Sequence, residues 1–222
     1  MKYNNITAAN FISRPNRFVA KVMLDGSELT VHVKNTGRCR ELLLPGCEVY
    51  LEKADNPDRK TPYDLVAVKT SDKGIINIDS QAPNKVVKEF IEESGKYDYI
   101  KPEFKYGNSR IDFYMEKDDE KYLMEVKGCT LFRDGIGYFP DAPTERGARH
   151  LEELAKAVKE GFHARVAFVI QGEGISEVRP NADTDPEFTR AFREAKAAGV
   201  KVVFYKCKVR NNSLQITDEI II

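Results

Sequence analysis

The chain has 222 residues, 41% of them hydrophobic, enough for one large or two small domains with real cores. Lys+Arg and Asp+Glu both number 35, so the total charge gives no sign of a nucleic-acid partner and any basic surface has to be local. The four cysteines (Cys39, Cys47, Cys129, Cys207) lack C-x-x-C or His spacing, which argues against structural zinc, and no apolar run approaches the ~18 residues of a membrane span, so the expectation is a cytoplasmic protein with no membrane partner.

From Arg17 to Ser80 the pattern is strand after strand: R-F-V-A-K-V-M-L-D, E-L-T-V-H-V-K-N, G-C-E-V-Y-L-E-K, Y-D-L-V-A-V-K-T and G-I-I-N-I-D-S. Turn chemistry separates them, at Asp25-Gly26, Pro45-Gly46, Asn56-Pro57-Asp58 and Lys73-Gly74. Five short strands predict a small all-β barrel compatible with an OB-fold, with Thr36 to Leu44 as a helical turn between the second and third. Arg14, Arg17, Lys21, Lys34, Arg38 and Arg40 face only Asp25 and Glu28 in the same stretch, a local positive excess. Arg14, Arg17, Arg38 and Arg40 are therefore candidate nucleic-acid contacts, with Phe11 and Phe18 nearby as stacking aromatics. Against that, Phe18 alternates with Val22 and Leu24, which assigns it to the core, and His32 between Val31 and Val33 reads as structural.

Near Ser80 the composition changes, dividing the chain into residues 1–80 and 81–222. Q-A-P-N-K-V-V-K-E-F-I-E-E-S-G opens with Pro, closes with Gly and spaces Val86, Val87, Phe90 and Ile91 as one helix face. Strands follow to Thr130, with C-T-L-F and I-G-Y-F expected to extend the same sheet. A second helix runs from Pro143 to Gly161 with Leu151, Leu154, Ala155 and Val158 as its buried stripe, and R-V-A-F-V-I reads as a strand covered on both faces. A further helix and the strand V-K-V-V-F-Y follow, and L-Q-I-T-D-E-I-I-I adds an edge strand. The second unit is thus α/β: helix, three strands, helix, strand, helix, strand.

Chemistry concentrates between Ser109 and Thr130. A hairpin turn centred between Asp118 and Asp119 sets Asp112 opposite Glu125, and directly opposed carboxylates repel unless a cation lies between them. Lys127, two residues beyond Glu125, emerges on the same face, while Met124 and Val126 point into a core. Two acids for a metal and one ammonium suit phosphodiester hydrolysis, where charge builds on phosphate oxygens; the competing reading is a solvated face with a cross-strand ion pair. On the next helix Arg146 and His150 share a face at i,i+4 spacing as candidate phosphate contacts, and Glu145 is spaced to pair with Arg149. Q-G-E-G-I-S-E lacks the third Gly of a dinucleotide fingerprint, no P-loop is present, and neither Ser109 nor Cys129 has a His placed by sequence as its base.

An Asp at the end of one strand and E-x-K in the next, between these helices, resembles the PD-(D/E)xK restriction-endonuclease-like core. The runs I-D-S-Q-A-P-N, Y-G-N-S-R-I-D-F, M-E-V-K-G-C-T-L and F-P-D-A-P-T-E-R-G-A-R-H-L-E-E-L look like the SfsA (sugar fermentation stimulation protein A) family, as do N-R-F-V-A-K-V and V-K-N-T-G-R-C-R-E-L-L-L-P-G upstream. That resemblance spans nearly the whole chain. It implies an N-terminal OB-like domain, a C-terminal nuclease-like domain and DNA binding. Residue by residue, it implies metal binding by Asp112 and Glu125 and a catalytic ammonium at Lys127, with Glu89 matching an accessory acid of the wider superfamily. The motif's leading Pro is absent, Ile111 standing before Asp112. Arg110, in the Y-G-N-S-R-I-D-F run, joins the DNA-binding candidates. The expectation is a DNA-binding, Mg²⁺- or Mn²⁺-dependent nuclease, with a non-catalytic DNA-binding regulator of sugar (maltose-type) catabolism genes as the alternative. Strand preference, RNA as a substrate and homo-oligomerisation stay open. An oligosaccharide-binding barrel is the third reading, without a Trp platform.

Overall fold

The structure is a computed structural model and describes residues 1–35 and 37–222. Six strands come first: β1 (Ile6–Asn16), β2 (Val19–Leu24), β3 (Ser27–Val33), β4 (Glu48–Lys53), β5 (Tyr63–Lys69) and β6 (Ile75–Asn77). They lie in the order β3-β2-β1-β4-β5-β6, and β3 also pairs with β5 in parallel through His32 with Asp64 and Val33 with Leu65. That last, two-residue pairing closes β1 to β5 into an OB barrel, with the first part of β3 left unpaired on that side. The predicted barrel is right in kind but shifted by one strand. β1 is not legible because Asn10, Ser13, Arg14 and Pro15 break its apolar pattern and its pairing with β2 is bulged, while β6 pairs only with β5 and lies outside the closed ring.

Asp25 and Gly26, both at positive φ, form the two-residue turn between β2 and β3, the conformation for which Asp-Gly is the favoured pair. The expected helical turn is shorter than Thr36 to Leu44: Leu42 and Leu43 both donate to the Cys39 carbonyl, one turn and no more, and Thr36 lies outside the described residues. Small aliphatic side chains such as Ala20, Val22, Val31, Val49 and Leu51 fill the barrel.

The rest of the chain builds a three-layered α/β domain. Its elements are α1 (Ala82–Glu93), β7 (Tyr99–Tyr106), β8 (Ser109–Lys117), β9 (Glu120–Cys129), β10 (Leu131–Arg133), β11 (Ile136–Phe139), α2 (Glu145–Lys159), β12 (His163–Ile170), β13 (Val178–Pro180), α3 (Pro186–Ala197), β14 (Lys201–Arg210) and β15 (Ser213–Ile221). The main sheet has the order β15-β14-β12-β9-β8-β7, with β9, β12 and β14 parallel at its centre. Parallel neighbours need crossovers, and α2 and α3 supply them. Val86, Val87 and Ile91 of α1 join Met115, Met124 and Val126 in one core, whereas Leu151 and Leu154 of α2 join Leu123 and Val166 in another. Helices thus cover both faces, as the uninterrupted apolar run of β12 requires. Thr144 caps α2 by accepting the Gly147 N–H, and Asp185 caps α3 at Phe188.

C-T-L-F and I-G-Y-F do not extend this sheet. They form β10 and β11, which join β13 in a separate three-stranded sheet; β13 is three residues long and ends in Pro, too short a signal to read. The first three residues leave the barrel for the second domain: Lys2 bridges Ser213, and the Met1 ammonium donates to the Leu214 carbonyl. No helix among the described residues is long and apolar enough to cross a membrane.

Candidate active site

Asp118 and Asp119, both at positive φ, make the hairpin turn, and the ladder runs from Lys117 opposite Glu120 to Phe113 opposite Met124. The register is the one expected, but backbone pairing stops one step short of Asp112 and Glu125. At that step Asp112 Oδ2 accepts the Val126 N–H at 2.7 Å. The phase of β8 changes there. Ile111 packs in the larger core and Phe113 and Met115 in the α1-side core, although residues two apart in a regular strand share a face. On the other side Glu103 of β7 has φ 54°, and the β7–β8 ladder skips it. The irregularity frees the Asp112 carboxylate to reach across to β9.

Each helix holds one carboxylate. Asn84, in the first turn of α1, donates from Nδ2 to Asp112 Oδ1 at 2.7 Å. Glu125 Oε1 accepts from Lys127 Nζ at 2.5 Å and bonds Nδ1 of His150 on α2. Arg146 Nε donates to His150 Nε2 at 3.3 Å, which selects the tautomer carrying its hydrogen on Nδ1 and makes His150 the donor to Glu125. Glu125 Oε2 is buried with no hydrogen-bond partner among the described residues. Burial and the neighbouring Glu125 charge push Asp112 up to about 6, against the opposing pull of Lys127, Val126 N–H and Asn84. Burial acts the same way on Glu125, but the Lys127 ammonium and the His150 hydrogen bond outweigh it and hold that carboxyl below its ordinary value.

An orphaned buried carboxylate oxygen beside a second, partly destabilised carboxylate describes a site short of positive charge. Among the described residues no three His, Cys, Asp or Glu side chains gather to hold a metal. Two carboxylates nevertheless fit Mg²⁺, which commonly takes one or two and completes its shell with waters and substrate phosphate oxygens.

Glu89, the expected accessory acid, lies elsewhere: its Oε2 pairs with the Met1 ammonium at 2.6 Å. It sits five residues past Asn84, about 140° around the helix, so the two cannot serve one site. Asn84 is the residue that sequence reasoning missed, because nothing in its spacing says which turn of α1 meets β8. His150 was expected at a phosphate but is only 2% exposed, and its ring is committed to Glu125 and Arg146. Arg146 itself is exposed at the helix surface, and Glu145 and Arg149 form no ion pair among the described residues.

The barrel arginines divide. Arg14 donates to the carbonyls of Arg17, Asn35, Gly37 and Arg38 at 2.6 to 2.9 Å, so its guanidinium builds the loop and is not free for a phosphate. Arg17, Arg38 and Arg40 are exposed, with no carboxylate partner among the described residues, and Arg110 is exposed with Glu103 at 3.6 Å. Phe11 is core, but Phe18 is not: it falls in the β1–β2 turn, ahead of the strand whose alternation it was assigned to, and is 53% exposed with the Arg17 guanidinium over its ring. A cavity of about 750 Å³ is lined by Arg14, Arg17, Arg38 and Arg40, and Phe18 adjoins it through Arg17. A second, of about 310 Å³, lies between the domains and includes Gly128, one residue past Lys127. His32 bonds Asp64 at 2.9 Å, a structural role.

The family model for the SfsA N-terminal OB domain matches residues 12–78, and that for the sugar fermentation stimulation protein RE domain matches residues 81–213. A sugar fermentation stimulation protein homolog of Clostridium beijerinckii is 50% identical over 221 residues, covering 98% of this chain and 97% of that one. A homolog of Ruminiclostridium cellulolyticum is 45% identical over 223 residues, covering 99% and 98%. The structure of Pyrococcus furiosus SfsA in complex with Ca²⁺ superposes with a TM-score of 0.84 at 27% identity, over 99% of this chain and 96% of that one. The chain belongs to the sugar fermentation stimulation protein family.

Proposed function

We propose that the protein is a DNA-binding, divalent-metal-dependent phosphodiesterase acting in the cytoplasm, with Asp112, Glu125 and Lys127 as its chemical centre. The observation that carries this reading is the buried, unpartnered Glu125 Oε2 beside an Asp112 pushed up to about 6. Mg²⁺ or Mn²⁺ held by Asp112 and Glu125 would polarise a phosphate oxygen and lower the pKa of a bound water. The chain's own groups do the rest. Asn84 and the Val126 N–H fix both oxygens of Asp112; His150, itself held by Arg146, fixes Oε1 of Glu125. Lys127 Nζ, mostly shielded from water, places a positive charge where it can orient the attacking water or meet charge developing on the phosphate. That the Pyrococcus relative was solved with Ca²⁺ supports a hard-cation site in this fold.

A second reading is a non-catalytic DNA-binding regulator of sugar catabolism genes. It is favoured by the position of Arg17, Arg38 and Arg40 on the barrel, where binding needs no cleavage. Incubation with single-stranded DNA, duplex DNA and RNA in Mg²⁺ or Mn²⁺ separates the two. The wild type is expected to cut at least one, and Asp112→Asn and Lys127→Met to lose roughly a hundredfold or more in rate. If all three proteins bind alike and none cuts, the enzymatic reading is wrong.

A further inference from the structure

Three of the barrel arginines and one aromatic have no structural occupation. Arg14 is consumed by backbone carbonyls, and Arg59, Arg179 and Arg190 are engaged with carboxylates, whereas Arg17, Arg38 and Arg40 stand exposed around one cavity. Phe18 projects from the β1–β2 turn next to Arg17, more than half exposed, with the Arg17 guanidinium 5.6 Å from its ring centre. A large apolar ring more than half exposed at a turn tip offers a flat face on which a planar ligand can stack.

The two cavities are contiguous. Arg17, Gly37, Ala142 and Pro143 line both, so the basic pocket on the barrel opens into the cleft between the domains. That cleft contains Gly128, which follows Lys127 directly, and Thr144 at the start of α2. A Cβ on Gly128 would lie 2.3 Å from Gln171 Oε1 and 2.8 Å from Pro83, so the backbone is bare there because neighbours crowd it. The one acidic side chain in the cleft wall, Asp141, has its Oδ2 taken by the Cys39 N–H at 2.9 Å. The path is therefore cationic at its barrel end, where Arg17, Arg38 and Arg40 stand, and charge-balanced in the cleft, where Arg17 and Asp141 share the wall between the two domains.

We infer that this path binds a single-stranded polynucleotide, with an unpaired base stacked on Phe18, phosphates following Arg17, Arg38 and Arg40, and the strand entering the interdomain cleft toward Lys127. The inference rests on the proposed phosphodiesterase reading and names its substrate class. The chemistry favours a single strand over a duplex at this position: paired bases show proteins their edges in the grooves, and stacking on an aromatic inside a duplex first costs a few kcal/mol of unstacking. Each base stacked on an aromatic contributes enough that its loss is read as roughly tenfold or more in affinity.

The test is anisotropy binding of a fluorescein-labelled mixed-sequence DNA 15-mer, single-stranded or annealed to its complement, to full-length Asp112→Asn protein in EDTA so that no cutting intervenes. Phe18→Ala is expected to weaken single-strand binding about tenfold or more and leave duplex binding unchanged, while Phe18→Tyr stays near the parent. Arg38→Ala with Arg40→Ala is expected to reduce the slope of log affinity against log salt by about 1.4, two phosphate contacts at about 0.7 each on a single strand. Phe18 is a surface turn residue, and an unchanged unfolding midpoint verifies that its variants fold. Equal single-strand affinity for Phe18→Ala and its parent, or a loss shared equally by the duplex, overturns the inference. The two readings fail separately: Phe18-dependent binding without cleavage by wild-type protein removes the enzyme alone, and metal-dependent cleavage indifferent to Phe18 removes the single-strand path alone.

Discussion

Asp112 is held in a protonation balance that the bare fold works against. In an unfolded chain its carboxyl ionises near pH 4; in the folded protein burial and Glu125 push it up to about 6. A folded-state pKa above the unfolded one means that the folded state binds more protons between those two values, so stability falls as pH rises through that window and stays lower above it. Glu125 has the opposite sign, its stabilisation being present above its unfolded pKa and lost only as pH falls through its depressed folded value, so between about 4.5 and 6 the slope belongs to Asp112. In EDTA, the unfolding midpoint of wild-type protein is expected to drop from pH 5 to pH 7, and Asp112→Asn is expected to remove that part of the drop, about 1.4 kcal/mol, since roughly one unit of the shift lies above pH 5. Adding Mn²⁺ at pH 7 should raise the wild-type midpoint and leave Asp112→Asn unmoved, since a ligand stabilises only the state that binds it. A midpoint for Asp112→Asn that follows wild type across the range, with and without Mn²⁺, would refute this account. The carboxylate pair was legible because a two-residue turn at Asp118 and Asp119 determines register over the whole hairpin. Asn84 and His150 were not, because their roles depend on how α1 and α2 dock, and no local pattern encodes docking.

At the scale of elements, α2 works as a strut for the site as well as a crossover between β9 and β12. Leu151 and Leu154 fasten it to the sheet, and the same docking carries His150 to Glu125 at one end of the helix. A donor from a packed helix to a metal-binding carboxylate orients it, and losing such a donor typically weakens metal binding by about 10- to 100-fold. His150→Ala is expected to lower Mn²⁺ affinity by about tenfold, measured by calorimetric titration, and to reduce stability by about 1–3 kcal/mol through the lost buried hydrogen bond to the Glu125 carboxylate, whose Oε1 keeps only Lys127 Nζ. His150→Asn, whose amide N–H stands near the Nδ1 position, should recover most of the Mn²⁺ affinity. Recovery of stability without recovery of affinity would mean that His150 only fills space. Long, patterned elements such as α2, β12 and β14 could be read from the chain directly. β1 and β13 could not, the first because polar residues and Pro15 interrupt it, the second because its only strong partner is another short strand, β11.

The two domains meet through a buried polar seam, and the site lies beside it. Gln171, at the end of β12, donates to Asn77 Oδ1 at 2.8 Å and to the Asp79 carbonyl at 3.0 Å, both in the segment that leads from the barrel into α1. Asn77 in turn donates to the Tyr3 hydroxyl, and Tyr3 to Asp79 Oδ2. Burial, then the Asp79 charge, pushes the Tyr3 hydroxyl well above its ordinary range, which keeps it a donor at every physiological pH. These partners are 94 and 92 positions apart in the chain for Gln171, beyond any local pattern, although the change from strand-rich to alternating helix and strand near Ser80 is visible in sequence. The seam also positions chemistry. Gln171 Oε1 crowds Gly128, and Asp79 Oδ1 accepts the Gln81 N–H where α1 begins, so a shift at Gln171 reaches the helix that carries Asn84. Gln171→Ala removes two buried hydrogen bonds, while Asn77 Oδ1 keeps the Asp79 N–H and the Asp79 carbonyl keeps the Ala82 N–H, an expected cost of about 1–2 kcal/mol. Because the lost bonds join the domains, urea unfolding followed by far-UV circular dichroism is expected to separate into two transitions, against one expected for the wild type. The same variant should lower Mn²⁺ affinity through the displaced Asn84, even though residue 171 touches neither carboxylate. A single transition at the wild-type midpoint with unchanged Mn²⁺ binding would mean that the seam merely packs the domains together and that the site is built within the α/β domain alone.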